Sequence, residues 1–236
     1  MYAIAKLLLV TTTVFMASCI KIPYKLVTSS PSSTYEVRLG EEIRPEDSGD
    51  PWPYKVFLSV SKHGRSVIDR ELVYSNDSWD LRFGDICPQH TWVSENVLRL
   101  GGEHTLPESS CDVITVRNQT ANDITYLMLS GMVRRPGEKF LLLDVPPSST
   151  IKLYAQPQTD KVGDTSGFSC HLQFADGREI PTTGMGFRIR GVYKGPARYC
   201  LTIKDNEVII RSEDFEGVEF VSGNEVRIPK ISSCAP

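Results

Sequence analysis

The chain has 236 residues, 40% of them hydrophobic and 23% charged, with a formal net charge of −3. That length and balance allow a folded body with a sizeable core and exclude a disordered chain. Without a basic excess there is no electrostatic basis for nucleic-acid binding, and none is expected.

Lys6 precedes an apolar run from Leu7 to Met16, and small Ala17 and Ser18 lead to Cys19. A positive residue, a short apolar stretch and small residues describe an export signal. The run is shorter than the ~20 apolar residues of a spanning helix. The M-A-S-C ending resembles the lipobox of bacterial lipoproteins, with Met16 in place of the usual Leu. The resemblance implies that residues 1–18 are a removed signal peptide and that Cys19 is acylated. The mature chain would then be held to a membrane of the cell envelope by its acyl chains. Ile20, rather than Asp, after the Cys favours the outer membrane in a two-membrane bacterium. Plain secretion is the alternative, although Phe15 and Met16 are large for the approach to an ordinary cleavage site. The chain resembles the β-rich lipoproteins of bacteria as a class and no named functional family.

Residues 19–34 contain T-S-S-P-S-S-T without periodicity and are expected to form a flexible tether. Tyr35, Val37 and Leu39 then alternate with Glu36 and Arg38, a half-buried strand. After an acidic, Pro-punctuated loop from Glu41 to Pro53, Tyr54, Val56, Leu58 and Val60 repeat the alternation. His63-Gly64 reads as a hairpin turn returning through Ser66 to Tyr74. Short strands at Trp79–Phe83 and Trp92–Leu100 complete a small antiparallel unit over residues 35–101. The pairing of S-P-S-S-T-Y-E-V-R-L with W-V-S-E-N-V-L-R-L resembles a single β-propeller blade, which cannot close a ring alone.

Gly-Gly, Pro and Ser between Gly101 and Ser110 mark a boundary. From Val113 to Ala155, runs rich in Val, Ile, Leu and Tyr alternate with turns at Gln119–Asp123 and Pro146–Ser149, the pattern of consecutive antiparallel strands. Further strands are expected at Phe168–Phe174, Phe187–Tyr193, Tyr199–Ile203 and Val208–Ile210. Turns every eight to twelve residues over 111–212 predict a β-sandwich, and residues 213–236 are left as a tail. The fold class expected is therefore all-β, a small antiparallel sheet unit followed by a β-sandwich domain.

Five cysteines follow Cys19, and in an exported chain their default is disulfide pairing. Cys170 with Cys200 is the first choice because both lie in strands of one domain. Cys87 with Cys111 is the second, leaving Cys234 odd near the terminus. A rival reading gives Cys87, His90, His104 and Cys111 to zinc, but the H-x6-C spacing is wide and the disulfide is preferred. No cofactor or metal is expected.

Ser48 and Ser166 sit in Ser/Gly/Asp clusters that lack the strand-turn-helix frame and nearby His of a nucleophile. The acidic residues Glu213, Asp214, Glu216 and Glu219 read as a solvated face. Trp52, in the Pro-rich loop, is the best exposed aromatic for a binding surface. The chain is thus expected to be a non-catalytic envelope lipoprotein that binds an envelope protein or glycan or serves as a structural module. An envelope-polymer hydrolase with an unlocated carboxylate pair is the alternative, and open sheet edges offer a third route to a partner peptide.

Overall fold

The computed structural model describes residues 24–43, 54–76, 90–101, 107–131, 138–157, 165–188, 196–221 and 224–234. Among them the regular structure is β-strand apart from one 3-10 turn at Glu108–Ser110. The all-β expectation holds: a four-stranded antiparallel sheet is followed by a sandwich of an eight-stranded and a four-stranded layer.

The first sheet is an antiparallel meander of β1 (Tyr24–Ser29), β2 (Tyr35–Ile43), β3 (Tyr54–Lys62) and β4 (Arg65–Asn76). Period-two alternation builds it. Val37, Leu39, Val56, Leu58 and Val60 are buried on one face, while Glu36, Arg38, Ser59 and Ser61 point to the other. β1 corrects the tether expectation for 19–34. Y-K-L-V-T-S has no period of its own, but its backbone pairs with β2 from Tyr24 to Ser29.

The middle layer has eight strands. In spatial order these are β16 (Asn224–Ile228), β15 (Glu216–Val221), β12 (Glu179–Arg188), β11 (Thr165–Phe174), β8 (Ile124–Gly131), β9 (Lys139–Val145), β6 (Val97–Leu100) and β5 (His90–Ser94). The third layer is β10 (Thr150–Ala155), β7 (Asp112–Asn118), β13 (Arg198–Ile203) and β14 (Val208–Ser212), with β7 and β13 parallel.

At β6, β8 and β9 the middle layer is covered on both faces. In β9, Leu141 and Leu143 pack with the first sheet, whereas Phe140 and Leu142 face the third layer. In β8, Tyr126 and Met128 go one way and Leu127 and Leu129 the other. An unbroken apolar run such as F-L-L-L is what a strand needs when both its faces are buried. The sandwich core centres on Phe168, Phe187 and Tyr199, whose rings meet at centroid distances of 4.7–6.4 Å. Tilted aromatic pairs of this kind add roughly 0.5–1.5 kcal/mol each beyond their buried area.

Several boundaries shift from the sequence expectation. β5 and β6, expected in the first unit, extend the middle layer through pairing of Val97–Leu100 with Lys139–Leu142. The blade-like arrangement is therefore absent among the described residues. Strands from Val113 to Ala155 are not successive neighbours. β8 pairs with β9 in the middle layer, and β7 with β10 in the third, so one long hairpin is folded across the sandwich. β12 begins at Glu179, because its backbone pairs along β11 despite the Pro and Gly in its sequence. Residues 213–236, expected as a tail, supply β15 and β16.

Candidate ligand-binding cleft

Two hairpin turns meet at one end of the first sheet. The β3–β4 turn holds His63 at φ 48° and Gly64 at φ 77° between paired Lys62 and Arg65. Positive φ at both central residues suits the twist of a two-residue hairpin, as the His-Gly pair predicts. In the β1–β2 turn, Ser33 has φ 61°, and its amide donates to the Ser30 carbonyl at 2.8 Å. The His63 amide donates to the Thr34 carbonyl at 3.0 Å, joining the two turns.

Beside these turns, the outward face of the sheet forms an open cleft of about 580 Å³. Six hydroxyl side chains line it, from Ser29, Ser33, Thr34, Ser59, Ser61 and Ser66. Glu36, Arg38, His63 and Asp69 add the charged and titratable groups. Arg38 is engaged within the cleft: its Nε and a terminal nitrogen donate to Glu36 Oε1 at 2.6 and 2.5 Å. The walls therefore carry a closed ion pair, one further carboxylate and an array of hydroxyls. This set can exchange hydrogen bonds in both directions, and it holds no hydroxyl-to-imidazole bond among the described residues that would activate a nucleophile.

The rim is fixed from the middle layer. Glu95, in the β5–β6 turn, accepts from Ser30 Oγ at 2.5 Å, Ser32 Oγ at 2.6 Å and the Ser32 amide at 2.9 Å. Hydrogen bonds from the Ser30 and Ser32 side chains hold its carboxyl far down, at about 2. Behind the turn, Tyr35 Oη donates to Asp144 Oδ2 at 2.5 Å, and Lys62 forms an ion pair with the same carboxylate. Burial, then the Asp144 hydrogen bond, pushes the Tyr35 phenol upward. Trp92 stacks on Tyr35 at 6.5 Å and donates from Nε1 to Thr28 Oγ1 at 3.3 Å.

The residues singled out in the sequence fall elsewhere. Cys19, Trp52, Cys87 and His104 lie outside the described residues, as do Asp47-Ser48-Gly49-Asp50 and the Trp79–Phe83 segment. Cys200 bridges to Cys234, not to Cys170, with Cα atoms 5.7 Å apart. This overturns the first-choice pairing and the expectation of an odd Cys234. The C-terminal segment is brought there by its backbone: the Ile231 amide donates to the Ser212 carbonyl at 3.0 Å, and the Cys234 amide to Glu213 Oε1 at 2.5 Å. Cys170 is buried in the sandwich core. Cys111 is buried too, with its thiol 3.5 Å from the Pro107 carbonyl and its ionisation pushed upward by burial.

His171 reaches the first sheet, with Nδ1 2.8 Å from Glu71 Oε1. In the acidic run, Glu213 and Asp214 are not a free solvated face. Both hold Arg198, Asp214 by accepting the Arg198 amide at 2.7 Å. Missed entirely were Glu95 and Asp144, for which the sequence offers only polar residues beside turns.

Comparison with known proteins adds no identity. No family model and no curated protein matches the chain. A solved structure that it resembles is an NMR structure of a protein from Eubacterium rectale, at 10% identity and a TM-score of 0.29 over 48% of this chain and 94% of that one.

Proposed function

We propose that this chain is a non-catalytic, exported lipoprotein of the bacterial cell envelope, acylated at Cys19, whose first sheet is a binding face. The observation that carries the binding role is the open, hydroxyl-lined cleft of about 580 Å³ between two pinned turns, a size suited to a small ligand or one segment of a polymer. Export is supported by the lipobox-like Met16-Ala17-Ser18-Cys19 and by the Cys200–Cys234 bridge, since disulfides persist in oxidising compartments. Its partner is an envelope protein or glycan.

The test is intact-mass analysis and membrane fractionation of the full chain beside Cys19→Ser. Expected are a diacylglyceryl-modified start at Cys19 for the parent, found with membranes, and release of the variant from them. A parent with an unmodified start, or one equally soluble with and without Cys19, overturns the proposal.

A further inference from the structure

We infer that the cleft takes a neutral oligosaccharide, held on the side of the domain turned away from the lipid anchor. The inference deepens the binding role proposed above and rests on it.

Hydrogen-bonding capacity chooses the ligand class. The cleft presents hydroxyls from Ser33, Ser59 and Ser61 together with the Asp69 carboxylate and the His63 ring, a mixed set of donors and acceptors. Sugar hydroxyls also donate and accept, so they match such a set without leaving charge behind. Apolar ligands find little to bury against. Val60 and Ile68, the aliphatic residues of the lining, are 2% and 4% exposed, with their side chains in the core behind.

Charge excludes acidic polymers. Among the described residues of the lining Arg38 is the one guanidinium, and Glu36 already engages it. With Asp69 added, the walls carry more negative than positive charge, which repels phosphate, sulfate and uronate groups. Extended peptides are disfavoured for another reason. They bind sheets through open backbone edges, whereas the cleft lies across the face of β1–β4, with the doubly paired backbones of β2 and β3 at its floor.

The anchor sets the direction. Five residue steps separate Cys19 from Tyr24, a reach of at most ~18 Å when fully extended. β1 then runs from Tyr24 to Ser29, roughly 17 Å, before its turn enters the cleft rim. The cleft thus lies at the far end of the anchoring strand. Glu95 fixes that turn to the middle layer, so the face is presented outward on a rigid mount. A polymer beyond the membrane surface is the occupant this geometry suits.

The test uses the full acylated chain in nanodiscs, titrated calorimetrically with cellohexaose, chitohexaose and maltohexaose. A hexagalacturonate and an extended Ser/Thr decapeptide serve as acidic and peptide probes. Expected is saturable binding of at least one neutral hexasaccharide, weakened tenfold or more in Ser59→Ala/Ser61→Ala and in Asp69→Asn, and unchanged in Glu207→Gln on the opposite layer. The parent titrations need no variant, so a misfolded variant leaves the test intact. No binding of any neutral probe, preference for the hexagalacturonate or the peptide, or equal affinity in both cleft variants overturns the inference. Acylation at Cys19 is read independently by mass, which separates this failure from failure of the anchored-module proposal.

Discussion

Tyr35 and Asp144 form a 2.5 Å hydrogen bond between the first sheet and the middle layer, with Asp144 held at φ 47° to present its carboxylate. Lys62 shares that carboxylate and also lies over the Tyr35 ring, 5.7 Å from its centroid. Tyr35→Phe keeps the buried ring and deletes the donor to a charged acceptor. It is expected to lower unfolding free energy by about 1–2 kcal/mol in urea titrations without changing m. An unchanged midpoint would show that solvent replaces this bond at no cost.

Glu95 gives the fold an acid-sensitive clamp. Its carboxyl is held at about 2 in the folded chain, against an ordinary value of 4.5. Between those values the unfolded state binds more protons, so stability rises with pH across the window. The contribution is therefore complete above about pH 4.5 and lost as pH falls towards 2. Thermal melts at pH 6, 4 and 2.5 are expected to show a smaller acid-induced drop for Glu95→Gln than for the parent. Equal drops would place the acid sensitivity elsewhere.

Arg99 and Glu138 are an ion pair inside the sandwich, 2% and 8% exposed. Arg99 Nε meets Glu138 Oε1 directly. Burial raises the Glu138 carboxyl's pKa, opposed by the Gln156 amide and by Arg99. Arg99→Met alone strands a buried carboxylate and is expected to cost about 3–5 kcal/mol. Arg99→Met with Glu138→Leu is expected to recover most of that loss, because the desolvation penalty of both charges disappears. A double variant as unstable as the single one would mean that the pair is held for more than charge balance.

The Cys200–Cys234 bridge spans 34 positions. The loop-entropy estimate gives roughly 3–4 kcal/mol for a closure of this length. Peptide mapping under non-reducing conditions is expected to join Cys200 to Cys234. Cys234→Ser is expected to lower the melting temperature and to expose the C-terminal segment to carboxypeptidase. A Cys170–Cys200 peptide would refute the pairing.

How much of this could be read beforehand depends on which interactions are local. The alternation Tyr54, Val56, Leu58, Val60 announced both β3 and its buried face, and His63-Gly64 its turn. The serines at 59 and 61 were visible as the solvent face, but nothing local says that this face becomes concave where two turns meet. V-L-R-L at 97–100 fits either sheet, because a strand buried on both faces carries no alternation to choose its neighbour. Nor could spacing pair the cysteines. Cys200 finds Cys234 only because the Ile231–Ser212 bond returns the terminus to β14.

Asn118 decides the folded-over hairpin, and its substitution is the strictest test of the architecture. Its side chain is 1% exposed at the corner where both crossings between layers occur. Nδ2 donates to the carbonyls of Asn122, Val145 and Pro146 at 2.9–3.2 Å, while Oδ1 accepts from the Thr120 amide and hydroxyl at 3.1 and 2.8 Å. The main chain of Asn118 donates to Ser149, so one residue ties β7 to the start of β8, the end of β9 and the start of β10. Asn118→Asp places a carboxylate against three carbonyls, and Asn118→Ala leaves them with a void. Asn118→Ala is expected to cost about 2–4 kcal/mol, since several buried partners lose their bonds together. Asn118→Asp is expected to cost at least as much at neutral pH and less near pH 4, where a protonated acid can donate once. A loss under 1 kcal/mol for both would show that the two crossings hold their geometry without this side chain.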